Sequence, residues 1–233
     1  MSSLRRLIAA LGLCAVAGLA VAIKAEAAEG RLYPSGPPHG VAYLRFANLS
    51  PASLKITSLG GALSLPSGDA QRVGEYDPVT PGTELTGTVD IGGKTKPIKL
   101  TLTPNEFVTV AITQAEDGGP AIALLREEPT DFNAQKSALA LYNLDAGCSE
   151  GRLYAVDGLV AVISGVAPGA SGRRLVNPVN VALAASCGVQ AAGVAVELGA
   201  MEAGERYSVF LYAPSGAGRQ VLALRDKMAP FRP

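Results

Sequence analysis

Apolar and polar residues alternate along this chain with a period of two, not the 3.6 of an amphipathic helix. Leu85, Gly87, Val89 and Ile91 interleave with Thr86, Thr88 and Asp90. Ile98, Leu100 and Leu102 interleave with Lys99 and Thr101, and Phe107, Thr109 and Ala111 lie opposite Val108, Val110 and Ile112. Turn clusters such as Pro66-Ser67-Gly68-Asp69, Pro81-Gly82 and Gly92-Gly93 punctuate these runs. Short strands at regular spacing with turns between them predict an all-β sandwich or barrel. The Ala-rich stretch 179–197 is interrupted by Cys187-Gly188 and Gly193, which predicts a hairpin there and no helix.

The same grammar occurs twice. Leu44-Arg45-Phe46-Ala47-Asn48-Leu49 matches Leu139-Ala140-Leu141-Tyr142-Asn143-Leu144 at an offset of 95 positions. Residues 106–110 match 206–210 at an offset of 100, and 123–126 match 222–225 at 99. The chain therefore reads as two tandem β-sandwich domains, copies of one unit. The expected boundaries are a signal peptide over 1–28, an N-terminal domain with an extended arm over 29–127, a linker over 128–135 and a C-terminal domain over 136–233. The linker is polar, contains Pro129 and is short, so the domains are expected to touch.

The N-terminus sets the compartment. Arg5-Arg6, the apolar run from Leu7 to Ile23 and the small residues Ala25-Glu26-Ala27-Ala28 follow the order of a secretory signal. At about 17 residues the run is at the short edge for a membrane span, so cleavage and export are expected, with an uncleaved anchor as the alternative. A chain of 233 residues has room for two domains of about 100 each after the signal. Twenty basic and 20 acidic residues balance, so no net field favours nucleic acid. Cys14 leaves with the signal. Cys148 and Cys187 remain as an even pair in an exported protein and are expected to form a disulfide, closing a loop of about 39 residues worth roughly 4 kcal/mol.

The chemistry of the side chains is sparse. Acyl-transfer catalysis needs a nucleophile with an oriented base, and the single histidine, His39, lies in the arm between Pro37-Pro38 and Gly40. No G-x-S-x-G elbow is present. The acidic pairs Glu116-Asp117 and Glu127-Glu128 fall in turn or linker sequence and read as solvated. One histidine and a bridged cysteine pair supply no metal-ligand cluster, and no phosphate loop opens a helix. No catalytic residue, metal or cofactor is expected. There is no Trp, and of seven Tyr the expected exposed ones are Tyr33 in the arm and Tyr76 beside a turn. Tyr43, Tyr142, Tyr207 and Tyr212 read as packed in strands.

An ordered set of motifs adds to this picture. Leu32-Tyr33-Pro34, Pro38-His39-Gly40 and the strand from Ala42 to Asn48 come first. Glu127-Glu128-Pro129, Gln135-Lys136 and Asn143-Leu144 follow, and Val176-Asn177-Pro178-Val179-Asn180-Val181 closes the set. In that order they resemble the AlgF family of periplasmic accessory proteins in alginate O-acetylation. The resemblance implies a periplasmic, two-domain β-sandwich protein that bridges a membrane-bound acyltransferase and periplasmic polysaccharide O-acetyltransferases without catalysing transfer. It covers nearly the whole chain after the signal, but the Cys148–Cys187 pair has no counterpart in its pattern.

The leading expectation is thus a non-catalytic adaptor in exopolysaccharide O-acetylation. The alternative is a tandem carbohydrate-binding module that presents the polymer, with weak binding to alginate or a related polysaccharide. Tyr33, His39, Arg45 and Asn48 are the candidate binding residues, because they lie in or beside the family-like arm. Arg45 and Asn48 have a structural alternative as capping or pairing groups at a strand end.

Overall fold

The computed structural model describes residues 36–231 apart from 59–60, 69, 130–131, 190–192 and 215–216. The expected signal segment and Tyr33 lie outside the described residues. The N-terminal half contributes β1 (Ala42–Asn48), β2 (Leu54–Ser58), β3 (Gly61–Leu65), β4 (Asp77–Val79), β5 (Glu84–Ile91), β6 (Lys94–Thr101), β7 (Phe107–Gln114) and β8 (Pro120–Glu127). The C-terminal half contributes β9 (Ser137–Asn143), β10 (Gly151–Ala155), β11 (Val160–Val166), β12 (Ser171–Val176), β13 (Leu183–Cys187), β14 (Val194–Val196), β15 (Arg206–Tyr212) and β16 (Gln220–Arg225). The predicted hairpin falls at β13 and β14, which pair antiparallel.

Each half is a sandwich of two four-stranded sheets, and the two halves share one topology. The inner sheets run β4-β1-β7-β8 and β12-β9-β15-β16, and the outer sheets β3-β2-β5-β6 and β11-β10-β13-β14. In both inner sheets the central pair is parallel, β1 with β7 and β9 with β15. The repeat read from the sequence is a repeat of the fold, with one correction. Leu49 N–H donates to the Ile112 carbonyl, and Leu144 N–H donates to that of Leu211. Ile112 and Leu211 are therefore equivalent, and the β7/β15 offset is 99, not 100. In strands so rich in apolar residues, a one-residue slip still aligns hydrophobes, so composition alone did not fix the register.

The halves stack face to face in four layers. Leu44, Val108, Val110 and Ile112 pack toward the outer sheet of the first half with Leu54, Ile56, Val89 and Leu100. Leu139, Leu141, Val209 and Leu211 do the same in the second half with Leu153, Ile163, Ala185 and Val196. The opposite faces of the inner sheets meet each other: Ala47, Leu49, Ala111 and Leu125 pack against Ala140, Tyr142, Phe210 and Tyr212. This second burial explains why β7, β9 and β15 are buried on both faces, since alternation between core and water survives only where one face meets solvent. The β5–β6 hairpin keeps that alternation, and Gly92 and Gly93, at φ of 59° and 87°, make its two-residue turn.

Candidate functional site

The junction between the halves is polar at its centre. Arg45 on β1 is 1% exposed. Its Nε donates to Thr109 Oγ1 at 2.9 Å, Nη1 to Asp226 Oδ1 at 2.7 Å and Nη2 to Ser208 Oγ at 2.8 Å. Ser208 Oγ donates in turn to Asp226 Oδ1 at 2.6 Å, and Tyr76 and Thr109 hydroxyls lie 3.0 Å apart. The guanidinium stacks 4.2 Å from the Tyr76 ring centroid. Burial works against the Arg45 charge, but Asp226, with smaller help from Tyr76 and Tyr142, holds it above the ordinary arginine range.

A reciprocal pair sits in the same layer. Glu127 ends β8 as Asp226 follows β16, and the two are equivalent in the repeat. Glu127 accepts from Arg173 Nη2 at 2.5 Å and from the Tyr142 hydroxyl at 2.7 Å. Each half thus supplies a carboxylate at the same place and an arginine that answers the other half's carboxylate. A third arginine, Arg206, is 8% exposed and lies between Phe107 and Phe132, 5.0 and 5.4 Å from their centroids. Its Nε and Nη2 are buried without a hydrogen-bond partner. Arg206 also lines a cavity of about 340 Å³ formed with Pro37, Phe132, Ala138, Leu175 and Met228.

The candidate residues fall in different places. His39 is exposed beside the Gly40 turn, whose N–H donates to Asn105 Oδ1 at 2.8 Å. Arg45 and Asn48, expected near a binding surface, are buried in the structure. Asn48 Nδ2 donates to the carbonyls of Ala52, Leu65 and Pro66, and its Oδ1 accepts from Ser50 N–H. Asn143 repeats this with the carbonyls of Cys148 and Val166 and with Asp145 N–H. The Asn-Leu signature of the repeat is therefore a strand-end cap that ties the inner sheet to the outer one. Tyr76, expected to be exposed, is 0% exposed. The C-terminal segment returns over it, with Tyr76 N–H donating to the Lys227 carbonyl and Ala229 N–H donating back. The other strand tyrosines, 43, 142, 207 and 212, are buried as expected. Cys148 and Cys187 are bonded, with Cα atoms 5.3 Å apart. Among the described residues no three His, Cys, Asp or Glu side chains cluster as a metal ion would need.

One surface feature had no signal in the alternation. Val156, Leu159 and Val160 are 44%, 63% and 61% exposed at the loop joining β10 and β11. Leu159 has φ of 53°, in the left-handed region, which costs a branched L-residue roughly 1–2 kcal/mol. The loop is nevertheless held: Leu159 N–H donates to the Val156 carbonyl and its own carbonyl accepts from Arg152 Nη2 at 3.1 Å. Leu159 thus combines solvent exposure with a backbone conformation that branched L-residues rarely adopt.

Comparison with known proteins supplies the family. Residues 14–218 match the family model described as alginate O-acetyl transferase AlgF. The alginate biosynthesis protein AlgF of Pseudomonas aeruginosa is 31% identical over 175 residues, 73% of each chain. Those of Pseudomonas putida and Pseudomonas fluorescens are 29% and 30% identical, over 89% and 93% of this chain and 90% and 91% of their own. The match of the family model along most of the length and the 31% identical relative give one assignment: this chain belongs to the AlgF family.

Proposed function

We propose that the protein is a non-catalytic adaptor in alginate O-acetylation, acting in the periplasm between a membrane-bound acyltransferase and polysaccharide O-acetyltransferases. The family supports the alginate pathway. The observation that carries the adaptor reading is the Val156–Val160 tip, an apolar knob at the end of the outer sheet of the second half. Such a knob fits an apolar cleft on a protein partner, because burying Leu159 and Val160 there supplies about 1.5–3 kcal/mol for each side chain. The two hydrogen bonds that hold the Leu159 backbone reduce the ordering cost of presenting it.

Leu159→Asn tests this with stability working in the opposite direction to function. Asn tolerates the left-handed backbone, so the variant gains up to about 1 kcal/mol in chemical denaturation. Capture of the O-acetyltransferase partner and the acetyl content of secreted alginate both fall. Undiminished capture by a correctly folded variant, or esterase turnover by the purified protein that disappears on changing His39 or one serine, sinks the adaptor reading.

A further inference from the structure

A free sheet edge is a row of unpaired N–H and C=O groups, and natural sheets normally blunt it. Most edges in this molecule follow that rule. β4 and β14 are three residues long, and β3 is five. β11 breaks register against β10, and β12 carries Arg173 and Arg174 at its centre. β6 carries Lys94, Lys96 and Lys99, with Pro97 among them. The apolar residues of β16 are all partly buried, and its last residue, Arg225, is held by Glu202 and Glu205.

β8 has none of these devices. Its eight residues pair with β7 in continuous register, and on its other side it pairs with no strand among the described residues. Its interior, Ala121-Ile122-Ala123-Leu124-Leu125, has no charge, proline or glycine. Leu124 is 40% exposed. Through the register it shares a face with Val110, a core residue, so its exposure comes from its place at the edge. One added strand would cover it.

What lies beside this edge selects the strand. β6 and β8 run together along one open side of the first sandwich: Lys94 Nζ donates to the Asp117 carbonyl at one end, and Arg126 to the Thr101 carbonyl at the other. Lys96 is in register with the buried Val89, which puts it on the inward face of its sheet, yet it is exposed. It forms no ion pair among the described residues, whereas Lys99 is paired with Glu84 and Arg126 with Glu106. An inward lysine blocks β6 as an edge and leaves a cation facing whatever pairs with β8.

We infer that the free edge of β8 accepts an extended segment of a partner protein. That segment carries alternate aliphatic residues on the face that covers Leu124, and an acidic residue on the same face for Lys96. Backbone pairing supplies the affinity and the alternate side chains the selection. The edge lies on the first half and the Val156–Val160 tip on the second, so either stands or falls without the other.

The test is a titration of the ¹⁵N-labelled protein with a blocked heptapeptide, Val-Thr-Glu-Thr-Val-Thr-Val. Two parallel probes are its fully N-methylated form, which keeps the side chains but has no N–H donors, and a form with Lys in place of Glu. The expected result is a saturable shift of the β8 amides, with slower hydrogen exchange at those that exchange freely in the unbound protein. The methylated peptide gives neither. Leu124→Lys weakens binding at least about tenfold, the loss expected when one leucine is no longer buried. Lys96→Glu reverses the preference, so that the lysine peptide binds more tightly than the glutamate one. Both substitutions fall at exposed positions, which keeps the fold out of the comparison. No saturable response, an equal response to the methylated peptide, shifts centred on β6 or β16, or binding indifferent to either substitution overturns the inference.

Discussion

The two halves share a topology but secure their outer sheets differently. In the N-terminal half the outer edge is the β5–β6 hairpin, eight residue pairs in continuous register from Glu84–Thr101 to Ile91–Lys94. In the C-terminal half the equivalent edge, β14, is three residues long and its neighbour β13 ends at Cys187, bonded to the buried Cys148. One copy relies on a ladder of hydrogen bonds and the other on a covalent link. The halves differ again where they meet. Ala47 and Ala111 on the first inner sheet correspond, through the repeat, to Tyr142 and Phe210 on the second, which stack 4.9 Å apart. Small side chains on one copy receive large ones from the other.

The largest way to break this arrangement is to remove one partner of a cross-half ion pair. Asp226→Ala strands Arg45 in the interior and is expected to cost about 3–5 kcal/mol in denaturant unfolding. Both halves should lose protection together, because the pair spans them. Glu127→Ala should cost less, since Arg173 lies nearer solvent.

The disulfide comes next. Cys148→Ser with Cys187→Ser is expected to lose about 2–4 kcal/mol. Hydrogen exchange should rise in the outer sheet of β10, β11, β13 and β14, while the β5–β6 hairpin keeps its protection. Equal loosening of both outer sheets would contradict the division of labour drawn above.

Making the receiving face large sharpens the size contrast. Ala111→Phe places a second ring opposite Phe210 and is expected to cost about 1–3 kcal/mol by overpacking, read as a lowered denaturation midpoint. A neutral outcome would mean that the faces are looser than their burial indicates.

The smallest effect is alkaline. Burial raises the pKa values of Tyr76 and Tyr142 above the ordinary 10.0. The folded protein therefore holds protons that the unfolded chain releases. Stability is full below about pH 10 and falls above it by about 1.4 kcal/mol per pH unit for each tyrosine. Tyr142→Phe should remove one tyrosine's share of that slope, measured as unfolding free energy against pH.

Much of the fold was legible because it rests on local signals. Alternation in β5 and β6, the Gly92-Gly93 turn and the repeated Asn-Leu strand ends each follow from neighbouring residues. The junction was not legible. Arg45 sits among apolar residues in a strand, and a charge there reads as facing water unless its partner is known. That partner, Asp226, is 181 positions away. Tyr76 failed for the same reason, since its ring packs on Arg45 and Phe107 and its backbone pairs with that of Lys227 and Ala229, all distant in sequence. Arg206 carried a weak hint: it opens β15 where the equivalent residue in β7 is Phe107, a cation in place of a ring. The tip at Leu159 could not be found by pattern, because an apolar residue in an apolar run shows its exposure and backbone strain only in three dimensions.

The pairing of small and large residues across the junction has a consequence for how the molecule finds itself. Two first halves meeting through this face would leave a hollow where four alanines came together, and two second halves would force four rings into the space for two. Only the unlike pair closes it. Each half therefore rejects its own kind at this face, so neither two first halves nor two second halves of neighbouring chains can pair through it, and only a first half meeting a second half is accepted.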